Sequence, residues 1–337
     1  MEITDWKNLG FGYLKADYNV RTWHRNGQWG PLEVSDSEHI TLPIAATSFH
    51  YGQEAFEGLK AFRGQDGKIR VFRMDENAKR MQRSAQGVMM AEVPTSLFTE
   101  AIKKVVKLNE SLVPPFDSGA SLYIRPMLIG AGAQIGVKPA DEYLFAVIVM
   151  PVGPYFKEGF KPTDLVIYRE YDRAAPLGTG KIKVGGNYAA SMVAGQRAHQ
   201  NGFSAVLYLD AREKKYIDEC GPANFFAIKG NSYVTPKSES ILPSITNMSL
   251  RQLASDMGMK VEDRQIPVEE LADFDEVGAC GTAAVISPIK RIYDADNDLE
   301  YNYGTEPGKV CVALYEKLRG IQYGLEPDPY GWTTIIE

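Results

Sequence analysis

Apolar and polar positions recur along this chain with two periods, and the period predicts the element that each stretch forms. Residues 75–90 and 97–112 carry apolar side chains at helical spacing, and Pro114-Pro115 ends the second predicted helix. Residues 121–130 and 143–152 are apolar and rich in β-forming residues, which favours buried strands. The first half therefore mixes strands with helices.

A hairpin is predicted ahead of these helices. Residues 59–63 and 68–73 flank Gly64-Gln65-Asp66-Gly67, a composition typical of a tight turn, and residues 40–46 form a further apolar stretch. Together these segments predict an antiparallel sheet with helices, which is an α+β arrangement.

The second half predicts short strands joined by turns, together with a few helices. Predicted helices cover residues 188–200, 247–257 and 307–319. Predicted strands cover residues 204–209, 215–217, 225–228, 233–235, 261–266 and 277–292.

A composition shift separates the two halves. Residues 153–180 are rich in Pro, Gly and charge, so we place the interdomain connection at residues 156–178. The fold class that follows is mixed α and β, with a small α+β domain at residues 1–155. A larger, β-rich domain with flanking helices is predicted at residues 179–337.

Composition excludes several function classes. The chain has 337 residues, of which 44% are hydrophobic, so it can bury two cores of ordinary size. A net charge of −6 without a long basic run argues against nucleic acid as a partner. The longest apolar stretch, residues 143–152, is about half of a membrane span, and the start MEITDWKNLG lacks the features of a signal peptide. We expect a cytoplasmic, soluble protein that does not bind membranes.

Cysteine and histidine usage predicts neither a disulfide framework nor a metal site. The cysteines Cys220, Cys280 and Cys311 are odd in number and have no short metal-type spacing. The four histidines are scattered and form no ligand cluster.

The first candidate for chemistry is a pair of lysines, Lys181 and Lys183, in a glycine-bracketed segment from Gly178 to Tyr188. A lysine amine has a reference pKa of about 10.4, so a reactive lysine needs burial or a neighbouring cation. Either lysine could provide that cation for the other. Two solvated lysines on a glycine-rich turn would explain the same residues.

Three further segments could bind a charged ligand, and each also has a plain structural explanation. Glu219 precedes a Gly-Pro turn at a strand end and could face a cofactor, but an exposed carboxylate is the commoner outcome for Glu. Leu242-Pro-Ser-Ile-Thr leads into a helix, so amides near Ile245 and Thr246 suit an anion or are simply capped by Ser244 or Thr246. Cys280-Gly-Thr282-Ala-Ala could present amides and a hydroxyl, or serve only as a turn.

Taken in order, these segments resemble the branched-chain amino acid aminotransferases, class IV enzymes that use pyridoxal 5′-phosphate in the fold called type IV. The resemblance covers nearly the whole chain. The segments that carry it are His50-Tyr51-Gly-Gln-Glu-Ala-Phe56-Glu57-Gly58-Leu-Lys-Ala-Phe62, Ser121-Leu-Tyr123-Ile-Arg125-Pro126, Lys183-Val-Gly-Gly-Asn-Tyr188, Glu219 with Asn224-Phe225, Leu242-Pro-Ser-Ile-Thr, Gly281-Thr282-Ala-Ala, Ile321-Gln-Tyr-Gly and Trp332.

The resemblance implies a role for each cofactor-binding residue. Lys183 matches the lysine that holds the cofactor as a Schiff base, and its freed amine then moves the substrate proton in a ping-pong reaction. Glu219 matches the acid at the pyridine nitrogen, and Tyr188 the residue that binds the phenolic oxygen. The residues that match the binding site of the 5′-phosphate are Arg80, Ile245, Thr246 and Thr282.

The resemblance also implies the substrates, which are leucine, isoleucine or valine together with 2-oxoglutarate. Tyr51, Phe56 and Tyr188 would form apolar walls, and Tyr123 and Arg125 would meet the γ-carboxylate. The amides of Thr282 and Ala283 would bind the α-carboxylate. Relatives of this group are at least homodimers, with Tyr51, Tyr123 and Arg125 acting across the interface. From the residues alone, Arg125 could instead form a structural ion pair.

The chain departs from the family pattern at several positions. Asn247 stands where many relatives have Arg, and Ser244 where they have Gly, so details of the phosphate loop could differ. Lys15 stands near an apolar position of some relatives. The Cys-x-x-Cys of mammalian relatives falls on Ala284 and Ser287, which predicts no thiol switch of that kind.

Two other functions remain open on the sequence alone. The same fold hosts D-amino acid transaminases, amine transaminases and an aminodeoxychorismate lyase. A non-catalytic binding protein on this scaffold is the third possibility, and the presence of both Lys183 and Glu219 argues against it.

Overall fold

The computed structural model describes residues 5–154 and 160–337, and the chain divides into two compact units. The first unit comprises Met1–Lys157, Ile182–Gly185 and Gly320–Glu337. The second unit comprises Glu158–Lys181 and Gly186–Arg319.

Helices separate short runs of consecutive strands, and the bounds of these elements are as follows. The α-helices are α1 (Thr47–Tyr51), α2 (Met74–Gly87), α3 (Thr95–Leu108), α4 (Gly185–Gln200), α5 (Ile245–Asp256) and α6 (Lys309–Tyr323). The strands are β1 (Asn19–Arg25), β2 (Gln28–Trp29), β3 (Glu33–Ser35), β4 (Glu54–Phe56), β5 (Leu59–Arg63), β6 (Ile69–Phe72), β7 (Ser121–Gly130), β8 (Tyr143–Val152), β9 (Thr163–Ile167), β10 (Ala205–Leu209), β11 (Ile217–Cys220), β12 (Ala223–Lys229), β13 (Ser232–Pro236), β14 (Lys260–Arg264), β15 (Glu276–Gly281), β16 (Val285–Asp294), β17 (Leu299–Asn302) and β18 (Thr333–Ile336).

The first unit is an antiparallel sheet packed against two helices. Its strand order is β18-β6-β5-β7-β8-β1-β2, with β3 on β1 and β4 on β7. The ten-residue ladder of β7 with β8 runs from Ser121 opposite Val152 to Gly130 opposite Tyr143. The apolar faces of α2 and α3 supply Met81 and Phe98, which are fully buried in the same core as strand residues such as Leu122.

The second unit contains a sheet that closes on itself. Neighbouring strands pair in the order β10, β9, β16, β15, β12 and β11, and β11 returns to pair with β10. The core of this unit includes Leu165, Leu207, Phe225, Val277 and Ile289. Closure removes edges from this ring of strands and fixes the positions of the residues at its rim.

The mixed α and β class predicted from the sequence is confirmed, but the predicted domain bounds are wrong in three places. The predicted connection at residues 156–178 contains β9, which pairs in parallel with β10 and β16. The residues Ile182–Gly185, which include Lys183, group with the first unit, as does Gly320–Glu337, because β18 pairs with β6. The predicted boundary at residue 155 lies outside the described residues.

At the level of single elements, the apolar stretch at residues 40–45 forms no strand, and Ala46 makes only an isolated bridge to Ala133. The predicted strand at 277–292 is divided between β15 and β16 by a turn. In residues 5–154 and 160–337, no helix combines the length and the apolar character of a membrane span.

Candidate active site

Lys183 lies in the segment of the first unit that enters α4, and its main chain is held on both sides. Its N–H donates to Ser84 Oγ at 2.9 Å, and its carbonyl accepts from Phe56 N–H at 3.1 Å. Its Nζ lies 4.7 Å from the centroid of the Phe56 ring. The side chain of Lys181, by contrast, is 49% exposed and forms an ion pair with Glu239. Of the two lysines, Lys183 is therefore the one whose main chain is held by hydrogen bonds and whose amine lies next to an aromatic ring.

An arginine with a buried donor lies against the same Phe56 ring. Tyr123 and Arg125 are two residues apart in β7 and share a face of the sheet. Arg125 Nη2 donates to Tyr123 Oη at 2.9 Å, and Arg125 Cζ lies 4.7 Å from the Phe56 centroid. Arg125 Nε is buried and has no hydrogen-bond acceptor among the described residues. Since buried donors are normally satisfied, this atom is suited to an acceptor supplied by a ligand.

A glycine and a carboxylate complete this group. A Cβ at Gly58 would overlap the Tyr123 hydroxyl, so the position of that ring requires glycine here. The carboxylate of Glu54 accepts a hydrogen bond from Gly185 N–H. Burial raises the pKa of Glu54, while the Gly185 bond and the charge of Arg125 oppose that rise. Glu54 thus ties the segment that carries Lys183 to β4.

Arg80, the predicted phosphate ligand, is buried on α2. Its Nε and Nη2 each donate to the carboxylate of Glu57 at 2.7 Å. Asn77 Nδ2, one turn earlier, donates to the same carboxylate at 2.7 Å. Together with Ser84, these residues form a buried polar stripe at helical spacing along α2.

Tyr51, which is predicted to bind substrate, contacts residues of the first unit other than Phe56. It ends α1, is 41% exposed, and its hydroxyl donates to the Ile135 carbonyl. Its ring packs near that of His50. In the described part of the chain it does not join Phe56, Tyr123 and Arg125.

In the second unit, Glu219 is a buried carboxylate that is surrounded by hydrogen-bond donors and a cation. Only 2% of the residue is exposed, and its Oε1 accepts from Leu242 N–H at 2.6 Å and from Asn224 Nδ2 at 3.1 Å. Its Oε2 forms an ion pair with Arg173 Nε at 3.1 Å. An arginine and a main-chain amide both favour the charged form of a buried acid.

The start of α5 presents a helix N-terminus in the same unit. Ser244 caps it, since Asn247 N–H donates to Ser244 Oγ at 3.2 Å. Ile245 and Thr246 occupy the first turn, where amides and the helix dipole favour an anion. The Asn247 side chain is buried, accepts from Tyr233 Oη at 2.8 Å and donates to Thr235 Oγ1 at 2.9 Å. The side chain of Asn247, which stands where the resemblance implies an arginine, is therefore hydrogen-bonded in the interior of this unit.

Thr282 and Ala283 lie in the tight turn between β15 and β16. Val285, which follows the turn, has a φ of 68°, a strained value for a β-branched residue. Such strain is typical of turns whose shape serves a ligand. Tyr188 lies in the first turn of α4, next to Asn187, whose amide donates to Thr179 O at 2.7 Å.

The structure brings Lys183, Phe56, Tyr123 and Arg125 into one group, and reveals residues that sequence reasoning missed. These are Glu54, Glu57, Ser84 and Arg173. For Glu57 a signal was present, because an acid within the apolar run from Ala55 to Phe62 predicts a buried, paired charge. In the described residues, no three His, Cys, Asp or Glu side chains gather as metal ligands.

Comparison with known proteins gives a consistent result. The family model for amino-transferase class IV matches residues 54–292. A branched-chain-amino-acid aminotransferase of Haemophilus influenzae is 46% identical over the full length of both chains, and one of Helicobacter pylori is 47% identical over 98% of each. The crystal structure of the Escherichia coli branched-chain amino acid aminotransferase superimposes with a TM-score of 0.80 at 26% identity, over 96% of this chain and 100% of its own.

Proposed function

Because the chain belongs to the class IV amino-transferases and is a transaminase of the type IV fold, we propose that it transfers the amino group of L-leucine, L-isoleucine or L-valine to 2-oxoglutarate. The observation that carries this proposal is the group around Phe56. An amine, an aromatic ring and a guanidinium with an unsatisfied buried Nε lie side by side there. Such a group suits a reaction whose two substrates carry an aliphatic side chain and a γ-carboxylate.

The cofactor of the reaction is pyridoxal 5′-phosphate. When bound, it supplies an electron sink for the pair released as the substrate Cα–H bond breaks. The residues present fit such a group, since they offer a lysine amine, a buried carboxylate, a capped helix N-terminus and a buried arginine. In this proposal Glu219 holds a proton on the pyridine nitrogen and Tyr188 binds the phenolic oxygen. Arg80, Ile245, Thr246 and Thr282 bind the phosphate.

Lys183 would hold the cofactor, and its amine would carry the proton away from the substrate Cα. Its main chain is fixed by Ser84 and Phe56, so the freed amine moves only through its own side-chain torsions. Pre-positioned proton transfer of this kind contributes about 10²- to 10⁴-fold to rate. The two half-reactions share one site, which gives a ping-pong mechanism.

The proposed substrate contacts include this group and further residues outside it. Phe56 and Tyr51 supply apolar surface, Tyr123 and Arg125 bind the γ-carboxylate, and the Thr282 and Ala283 amides bind the α-carboxylate. The buried Arg125 Nε supports this assignment, because a carboxylate oxygen is the acceptor that it lacks among the described residues.

A homodimer is also proposed, in which Tyr51 serves the neighbouring subunit. Tyr51 lines a cavity of about 370 Å³ in the first unit together with Met89 and Val137. Val137 is 86% exposed and Met89 is 69% exposed, and exposed apolar side chains around a cavity favour burial by a partner. Cytoplasmic location stays a prediction from the sequence.

The test is an assay of purified protein with L-leucine and 2-oxoglutarate. We expect glutamate and 4-methyl-2-oxopentanoate in equal amounts, and Lys183→Ala should abolish both. Lys181→Ala is the matched control, since its half-exposed side chain forms an ion pair with Glu239, and it should retain activity within about twofold. A wild-type protein that binds the cofactor but forms no glutamate from any branched-chain amino acid would reject the proposal.

A further inference from the structure

Glu57 is a charged residue in the core of the first unit. Neither the sequence analysis nor the proposed reaction assigns a role to it. It is fully buried, between the apolar residues of β4 and β5. Its Oε1 accepts from Arg80 Nε, and its Oε2 accepts from Arg80 Nη2 and Asn77 Nδ2, all at 2.7 Å. Arg80 is itself only 4% exposed.

An ion pair in this place is poorly explained by stability alone. Removing two charges from water opposes much of their mutual attraction, and apolar replacements of buried pairs are often neutral or stabilising. What the pair does provide is geometry. Contacts to both Nε and Nη2 hold a planar guanidinium in one orientation, so Glu57 sets the plane and direction of the Arg80 guanidinium.

Glu57 is oriented in turn by its neighbours. Asn77 donates to Oε2 from α2, and Gly58 N–H donates to the same oxygen at 3.3 Å. The Asn77 amide also reaches the Gly58 carbonyl at 3.3 Å. The carboxylate is thus held both by α2, through Asn77, and by the link between β4 and β5, through the Gly58 amide.

We propose that Glu57, with Asn77, is a positioning residue that aims Arg80 at the phosphate of the cofactor. This inference rests on the proposed function, in which Arg80 binds that phosphate. Glu57 does not touch the cofactor itself. It acts by holding the guanidinium in the orientation in which it would form charge-assisted hydrogen bonds with the phosphate oxygens.

Two ligands separate positioning from a structural role, because pyridoxal is the cofactor without its phosphate. Glu57→Asp keeps the charge but shortens the side chain by one methylene, which withdraws the carboxylate from the guanidinium. Titration of the apoprotein, followed by absorbance, should show about tenfold weaker binding of pyridoxal 5′-phosphate, the loss expected for a misplaced charge-assisted bond. Binding of pyridoxal should change by less than about twofold, since it makes no phosphate contact. The ³¹P resonance of the bound phosphate should also shift.

Glu76→Asp is the matched control. It is the same substitution on the same helix, in an ion pair with Lys79 at 2.7 Å that lies at the surface. It should leave the affinities for both ligands at the wild-type values. If Glu57→Asp does not fold, Asn77→Ala is tested in the same titrations. It should weaken binding of pyridoxal 5′-phosphate, by less than Glu57→Asp would, and leave binding of pyridoxal unchanged.

Equal weakening of both ligands, or unchanged binding of both with a less stable apoprotein, would overturn the inference and leave a structural ion pair. The proposed function fails separately, on a wild-type protein that does not bind pyridoxal 5′-phosphate or does not transaminate leucine. An active wild type with a normal Glu57→Asp variant rejects the positioning role alone.

Discussion

At the scale of single residues, some interior charges of this protein lie in close ion pairs. Arg173 and Glu219 form such a pair in the second unit, where their side chains are 7% and 3% exposed. Arg173 also donates to the carbonyls of Gly180 and Ser240. Removing one partner of such a pair leaves the other as an uncompensated buried charge.

Arg173→Gln should therefore lower the free energy of unfolding of the apoprotein by about 3 kcal/mol or more. Arg251→Gln is the matched control, because Arg251 pairs with Asp263 at the same distance of 3.1 Å but with both side chains about one-third exposed. Its effect should stay within about 1 kcal/mol. Urea unfolding followed by circular dichroism measures both, and equal effects of the two variants would contradict a special role of burial.

The sequence identified the chemistry of the site better than its supporting contacts. Lys183 could be chosen over Lys181 only through the family resemblance, because both lie in the same glycine-bracketed segment. Ser84 escaped prediction because its partner lies far away in the chain, and for Glu57 the pattern indicates a buried, paired charge without identifying Arg80 as its partner. A hydrogen bond between Ser84 and Lys183 spans 99 residues, and local pattern carries no information on such a contact.

At the scale of elements, α5 shows what local pattern does predict. The helix predicted at residues 247–257, with a cap at Ser244 or Thr246, is present as α5, which begins two residues earlier at Ile245 and has Ser244 as its cap. β7 and β8 agree with the pattern to the residue, because long apolar runs in a central ladder leave no ambiguity of period. β9 was missed, since its five residues lie in a segment whose Pro and Gly content indicates a connection.

Ser244→Ala tests that cap. The variant should lose about 1 kcal/mol of stability, the usual effect of removing a side-chain acceptor at an N-cap. Under the proposed function it should also weaken binding of pyridoxal 5′-phosphate more than binding of pyridoxal, because the first turn of α5 would be less ordered. Ser96→Ala, in α3, is the control, since α3 has no side-chain cap and Ser96 lies in its first turn without capping it. Similar losses in the two variants would show that the Ser244 cap does not stabilise α5.

At the scale of the whole molecule, the path of the chain departs most from a sequence-based expectation. A domain boundary drawn from composition assumes that each domain is one continuous stretch. Here the chain leaves the first unit, returns for Ile182–Gly185, and returns again from Gly320 to the end. The last return is made by β18, which pairs with β6 from the opposite end of the chain. Only the three-dimensional pairing of edge strands could reveal this.

Two adjacent isoleucines in β18 test whether the C-terminal strand contributes to the core of the first unit. Ile336 is 9% exposed, pairs opposite Ile69 and belongs to that core, whereas Ile335 is 44% exposed on the other face of the strand. Ile336→Ala should lower stability by about 2 kcal/mol or more, and Ile335→Ala by less than about 1 kcal/mol. All four tryptophans, at positions 6, 23, 29 and 332, lie in the first unit, so their fluorescence during urea unfolding follows that unit. If the two substitutions shift the fluorescence midpoint equally, β18 is a frayed end whose inward face adds nothing to the core.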